Sequence, residues 1–192
     1  EFDFDKSIFS DTNDRYYWGY WQHIDYINIS ANELREDFIF PPAEGKNKEL
    51  IERIKNKNTV AIHVRRGDYL NIPLLDGICN EAYYQNAISY IEEKVENPLY
   101  IIFSNDIPWC KTTFKNLNAI FVDWNRGRES YRDMQLMSYC DHNIIANSSF
   151  SWWGAWLNEN SAKIVISPKK WINSSSLDQK ENGLLMPNFV QL

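Results

Sequence analysis

The feature that most constrains this chain is an alternation that begins near residue 46, in which short apolar runs are separated by helix-like stretches. Residues 59–65, 99–104, 119–122, 143–146 and 163–167 read as strands, rich in Val, Ile and Phe. Between them, residues 46–57, 80–95, 129–139 and 149–158 read as helices, with Tyr84, Ala87, Ile88, Ile91 and Val95 on one face of the second. Asn80 and Asp106 are N-cap residues, and Pro108 fits the first turn of a short helix after Asp106. Strands alternating with helices predict an α/β fold with a doubly wound, mostly parallel, Rossmann-like sheet.

Ahead of this region, residues 1–45 read as an aromatic connector. Its dense part, Tyr16-Tyr17-Trp18-Gly19-Tyr20-Trp21, admits core packing, a lid or a sugar-stacking platform. Pro41-Pro42 marks the break before the domain at 46–192. With 44% hydrophobic residues and eight tryptophans, 192 residues can bury a substantial core. A net charge of −6 argues against nucleic acid as a partner, so any anion site must be local. Three scattered cysteines with no Cys-x-x-Cys pair read as thiols of a reducing compartment, and no apolar run is long enough to span a bilayer.

The first strand ends in His63-Val64-Arg65-Arg66-Gly67-Asp68-Tyr69. Ligands of open α/β sheets bind at the carboxyl ends of strands. Two arginines there invite a phosphorylated ligand, because a guanidinium can grip phosphate oxygens bidentately; ordinary surface ion pairs are the alternative. A second junction, Asn147-Ser148-Ser149-Phe150-Ser151-Trp152-Trp153-Gly154, follows another strand and opens a helix. Hydroxyl side chains and free backbone N–H groups at a positive helix end can cradle phosphate, although the same residues also serve as a plain N-cap. Neither Gly-x-x-x-x-Gly-Lys-Ser/Thr nor Gly-x-Gly-x-x-Gly occurs, which argues against a nucleotide hydrolase or nicotinamide dehydrogenase. Asp123-Trp124-Asn125 is one acid short of an Asp-x-Asp metal motif, and no metal is expected.

Taken together, the His63–Tyr69 element, Asp123-Trp124-Asn125 and the serine–tryptophan junction resemble glycosyltransferase family 11, the α-1,2-fucosyltransferases, in their bacterial form. Gly19-Tyr20-Trp21-Gln22 and Pro168-Lys169-Lys170-Trp171 extend the resemblance over nearly the whole chain. It implies the C-terminal, donor-binding half of a GT-B-like enzyme. Such an enzyme transfers fucose from GDP-fucose to a galactose-containing oligosaccharide or glycolipid, with inversion and without metal. It would work in the cytoplasm or at the inner face of the membrane. The Gly-x-Gly-Asn-Gln element of such enzymes is absent here, so a GDP-sugar-binding portion without turnover is the alternative.

By the same resemblance, Arg65 clamps the donor β-phosphate with Arg66 in support, Asp133 binds guanine, and Ser148 and Ser149 bind phosphate, with Asp123, Phe150 and Ser151 also at the donor. Fixed cations aimed at the departing diphosphate lower the barrier without reorganising. Inversion calls for a base at the acceptor hydroxyl, for which Asp68 and His63 are the candidates by position. Asp68 can equally serve by holding the arginines in place.

Overall fold

The computed structural model describes residues 3–174 and 183–192. They form two compact units, one drawn from residues 3–39, 174 and 183–188, the other from residues 40–173 and 189–192.

The smaller unit holds a 3-10 turn at Lys6–Ser10 and two short helices, α1 (Ile24–Ile29) and α2 (Ala31–Asp37). Part of its aromatic cluster is packing: Tyr26 receives the Phe4 ring edge-on at 4.8 Å and the Trp21 ring at 5.4 Å. The alternate residues do otherwise. Tyr16, Trp18 and Tyr20 are 81–83% exposed along an extended stretch.

The larger unit is the α/β layer structure that the alternation predicts. Its elements in order are α3 (Gly45–Ile54), β1 (Thr59–Val64), α4 (Glu81–Glu92), β2 (Leu99–Ser104), α5 (Ile107–Thr113) and β3 (Ala119–Val122). They are followed by α6 (Tyr131–Ser138), β4 (His142–Ile144), α7 (Ser149–Leu157), β5 (Val165–Ser167) and β6 (Val190–Gln191). All five strand pairings are parallel, in the order β3-β2-β1-β4-β5-β6. Every residue of β1 is buried, as a central parallel strand covered on both faces requires.

Alternation along β1 sorts its side chains between two cores. Val60, Ile62 and Val64 pack with Tyr83, Tyr84, Ile88 and Ile91 of α4 and Cys110 of α5. Ala61 faces the opposite way, in a core with Leu50 and Ile54 of α3 and Leu136 and Met137 of α6. The helix caps follow the sequence: Asn80 Oδ1 accepts from the Tyr83 N–H (3.0 Å), and Asp106 Oδ1 accepts from the Trp109 N–H (3.2 Å).

Buried asparagines fix the register behind the second junction. Asn158 Nδ2 donates to Cys140 O (2.7 Å) and to Asn143 Oδ1 (2.8 Å), while Asn143 Nδ2 donates to Met137 O (2.9 Å). These bonds tie the ends of α6 and α7 to β4, where unpaired amides would be costly. Close approach of α6 and α7 depends on Gly154, where an added Cβ would lie 2.9 Å from Met137 Cβ.

The strand order reverses direction between β1 and β4, which places the Arg65 turn and the Asn147–Ser149 junction side by side at the topological switch point.

Candidate functional site

Beyond Val64 the chain leaves the sheet through a turn that the neighbouring strand holds in place. Asn105, just past β2, accepts at Oδ1 from the N–H groups of Arg66 (2.9 Å) and Gly67 (3.3 Å) and donates from Nδ2 to Asp68 (3.0 Å). A Cβ at residue 67 would lie 3.0 Å from that Nδ2, so glycine lets the amide close over the turn.

The two arginines are then used differently. Arg65 Nη2 donates to Asp68 Oδ2 at 2.6 Å, and its guanidinium lies 5.6 Å from the centre of the Tyr69 ring. Tyr69 in turn donates to Asn147 O (3.3 Å), joining the turn after β1 to the Asn147–Ser149 junction. Arg66 pairs with Asp106 (3.2 Å) and stacks over Trp109 at 4.7 Å, which commits its charge to the start of α5.

Arg65 projects to a cavity of about 460 Å³ at the carboxyl ends of β1, β2 and β3. His63, Asp123, Asp133 and Phe150 line the same space, as do Asn125 of the Asp123-Trp124-Asn125 motif and three residues that the sequence did not single out, Asn105, Arg126 and Ser130. The space is therefore lined from the carboxyl ends of three strands, the loops that follow them and residues of α5, α6 and α7, with the His63–Tyr69 motif supplying only part of it.

Asp133 is the most perturbed carboxyl in this cavity. Burial pushes its pKa up to about 7, against the opposing effect of an Asn125 Nδ2 bond at 2.8 Å. Asn125 is itself fixed by reciprocal amide bonds to Asn47 at 2.9 Å, and Asn47 Oδ1 also accepts from Trp124 Nε1 at 2.7 Å. His63 is 5% exposed, its ring 5.6 Å from that of Phe150, and its Nδ1 is buried without a hydrogen-bond partner. Burial, reinforced by the Arg65 charge, lowers its pKa to about 3, so the ring is neutral throughout the physiological range.

Asp68 does not line the cavity. Burial acts to raise its pKa, but the hydrogen bond and charge of Arg65, with Asn105, outweigh it and hold the carboxyl below its ordinary value.

Nor do Ser148, Ser149 and Ser151 line the cavity. Ser148 is buried, and as the N-cap of α7 it makes no side-chain capping bond. Ser151 is buried and directs its hydroxyl to Ala146 O (3.4 Å) and Ser148 O (3.2 Å). Ser149 is exposed, and with the first-turn N–H groups of α7 it forms the donor set left at this junction. At the rim, Asp123 pairs with Lys111 (3.4 Å), while its carbonyl accepts from Arg126 Nε (3.3 Å). Among the described residues no group of three or more His, Cys, Asp or Glu is clustered to hold a metal ion, and no helix is long and apolar enough to cross a membrane.

The chain is 40% identical over 168 residues to an alpha-1,2-colitosyltransferase of Escherichia coli, covering 83% of this chain and 57% of that protein. It is 42% identical over 142 residues to the Escherichia coli O-antigen biosynthesis glycosyltransferase WbnK, covering 72% and 46%. A galactoside alpha-(1,2)-fucosyltransferase 1 of Sus scrofa is 32% identical over 103 residues, covering 51% and 28%. The chain thus spans about half the length of the two bacterial relatives. The sequence profile described as Glycosyl transferase family 11 matches residues 2–191, and the chain belongs to that family.

Proposed function

We propose that this chain binds the nucleotide-sugar donor of a glycosyltransferase that moves fucose from GDP-fucose to a galactoside hydroxyl, in α-1,2 linkage and with inversion. The observation that carries this reading is the joint lining of one cavity by Arg65, His63 and Asp133. A guanidinium suits a diphosphate. A carboxylate suits guanine, whose N1–H and exocyclic N2–H are adjacent donors. The unpartnered ring nitrogen of a neutral His63 offers one further hydrogen bond to the base.

This assignment divides the labour of the His63–Tyr69 element. Arg65 holds the diphosphate and stabilises its growing charge as the glycosyl bond breaks. Arg66 adds a neighbouring positive charge while bracing α5, and Asp68 aims Arg65. A base with a pKa near 3 is poorly matched to removing a hydroxyl proton near neutrality, so His63 fits the donor better than the acceptor.

The donor sugar has a second reading, because one relative is named a colitosyltransferase. Binding without turnover is the other alternative. Calorimetry with GDP, UDP and ADP, followed by transfer assays with activated fucose and activated colitose, separates these readings. A clear preference for GDP is expected, with transfer of fucose to a galactoside. Equal affinity for the three nucleotides would overturn the guanine assignment.

A further inference from the structure

A second cavity, of about 190 Å³, shares Arg65 with the first, and its other walls include Arg66, Leu70, Leu75, Asp76 and Glu81. We infer that this smaller cavity seats the hexosyl group of the donor, so that Arg65 stands between base and sugar, where the diphosphate belongs. The inference rests on the donor reading above and adds the sugar's location to it.

Size and lining both point this way. The space is less than half the volume of the first cavity and large enough for one pyranose ring. Its charge balance disfavours a second phosphate. Arg65 and Arg66 already carry Asp68 and Asp106 as counter-ions, and Asp76 and Glu81 add two further carboxylates to the wall. A neutral polyol meets those carboxylates as a hydrogen-bond donor. Asp76 makes no side-chain hydrogen bond or ion pair with any described residue, and Glu81 accepts one bond, from Gln85 Nε2 at 2.9 Å. Leu70 and Leu75 supply apolar surface in the same wall. Hydroxyl acceptors beside an apolar patch match a 6-deoxyhexose, which presents one methyl group among its hydroxyls.

The wall is also held in place. Asn173 donates from its N–H to Leu74 O (2.7 Å) and from Nδ2 to Pro73 O (3.0 Å) and Asp76 O (2.8 Å). Asn147 Nδ2 donates to Trp171 O at 3.1 Å, and its Oδ1 accepts from Cys79 Sγ at 3.4 Å. Fixed walls lower the ordering cost of binding.

The test is calorimetry with GDP and GDP-fucose on the chain and on Leu75→Trp and Asp76→Asn, each checked by thermal melting. Leu75→Trp fills the cavity and Asp76→Asn removes a charged acceptor. Both should leave GDP affinity within about twofold, while GDP-fucose binding weakens about tenfold in the first and about threefold or more in the second. If both variants bind GDP-fucose like the parent, or lose GDP and GDP-fucose equally, the cavity does not hold the sugar. Absence of GDP binding by the parent chain would instead overturn the donor reading itself, and this inference with it.

Discussion

Arg65 and Asp68 face each other across the turn after β1, with Nη2 2.6 Å from Oδ2, and Asn105 of the adjacent strand's end holds the other carboxylate oxygen at 3.0 Å. An exposed ion pair of this kind contributes little to stability, at most about 1 kcal/mol. Its effect is to point a guanidinium into the cavity. The pair joins residues three apart in sequence, whereas the amide that locks it comes from a different strand.

The first prediction follows from that arrangement. Arg65→Ala should weaken GDP binding by roughly 1.5–3 kcal/mol, the range of a charge-assisted contact, and Arg65→Lys should restore little because an ammonium lacks the fork. Asp68→Ala and Asn105→Ala should leave the melting temperature nearly unchanged while weakening GDP severalfold. Near-parental GDP affinity in Arg65→Ala, measured by calorimetry, would refute the diphosphate role.

Asp133 makes a pH-dependent prediction. Burial pushes its carboxyl pKa up to about 7, and under the proposed guanine contact the ionised form is the acceptor. Binding must therefore displace a proton below that value. GDP affinity should fall as pH drops below about 7, by up to about tenfold per unit, and Asp133→Asn should abolish the dependence while binding GDP weakly throughout. The stability effect has the opposite sense. Because the folded pKa lies above the unfolded one, the stabilisation from this group is complete below the ordinary carboxylate pKa and is lost as pH rises through about 7. Asp133→Asn should consequently raise the melting temperature more near pH 8 than near pH 5, a comparison made by scanning calorimetry.

Gly154 tests the packing that holds the Asn147–Ser149 junction and α7. A Cβ there would sit 2.9 Å from Met137 Cβ and 3.1 Å from its Sδ. The sulfur can swing aside, but the Cβ is fixed to α6, so Gly154→Ala should cost about 1–3 kcal/mol. Met137→Ala in the same chain would not relieve the contact, since alanine keeps its Cβ, whereas in a Met137→Gly background Gly154→Ala should cost less than it does in the parent. Urea denaturation of the single and double variants measures the coupling directly.

The sheet was legible because parallel strands buried on both faces leave nearly continuous apolar runs, as in Ile101-Ile102-Phe103 of β2. Strand β6 was not, since Val190–Gln191 is too short to carry a period and is defined by its pairing with β5. The family resemblance implies Arg65 and Asp133 as donor-binding residues, and both line one cavity. Asn105 was hidden because its task exists only where β1 and β2 lie adjacent, which no local pattern encodes. The surroundings of Ser151 were equally hidden: backbone carbonyls behind it take its hydroxyl hydrogen, a partner set that exists only once the helix start is folded. Histidine at position 63 was visible, but its burial follows from the residue's place inside β1, one residue short of the strand's end.

The last prediction concerns metal. Among metal-dependent transferases a divalent ion neutralises the departing diphosphate, and in this chain the pair nearest in sequence to such a ligand set is Asp123 and Asn125. Both already have partners. Asp123 lies 3.4 Å from the Lys111 ammonium, and Asn125 is bound to Asn47 and Asp133. An incoming cation would have to displace a like charge at the first and break an amide network at the second. Arg65, by contrast, is a fixed cation that lines the cavity and needs no reorganisation as charge develops. GDP binding, and fucosyl transfer by the whole enzyme, should therefore persist in excess EDTA, with Mg²⁺ or Mn²⁺ altering either only mildly. Loss of transfer in EDTA with recovery on adding Mn²⁺ would show that a metal carries the leaving group. In that event Asp123→Asn should abolish the recovery while leaving metal-free GDP binding intact.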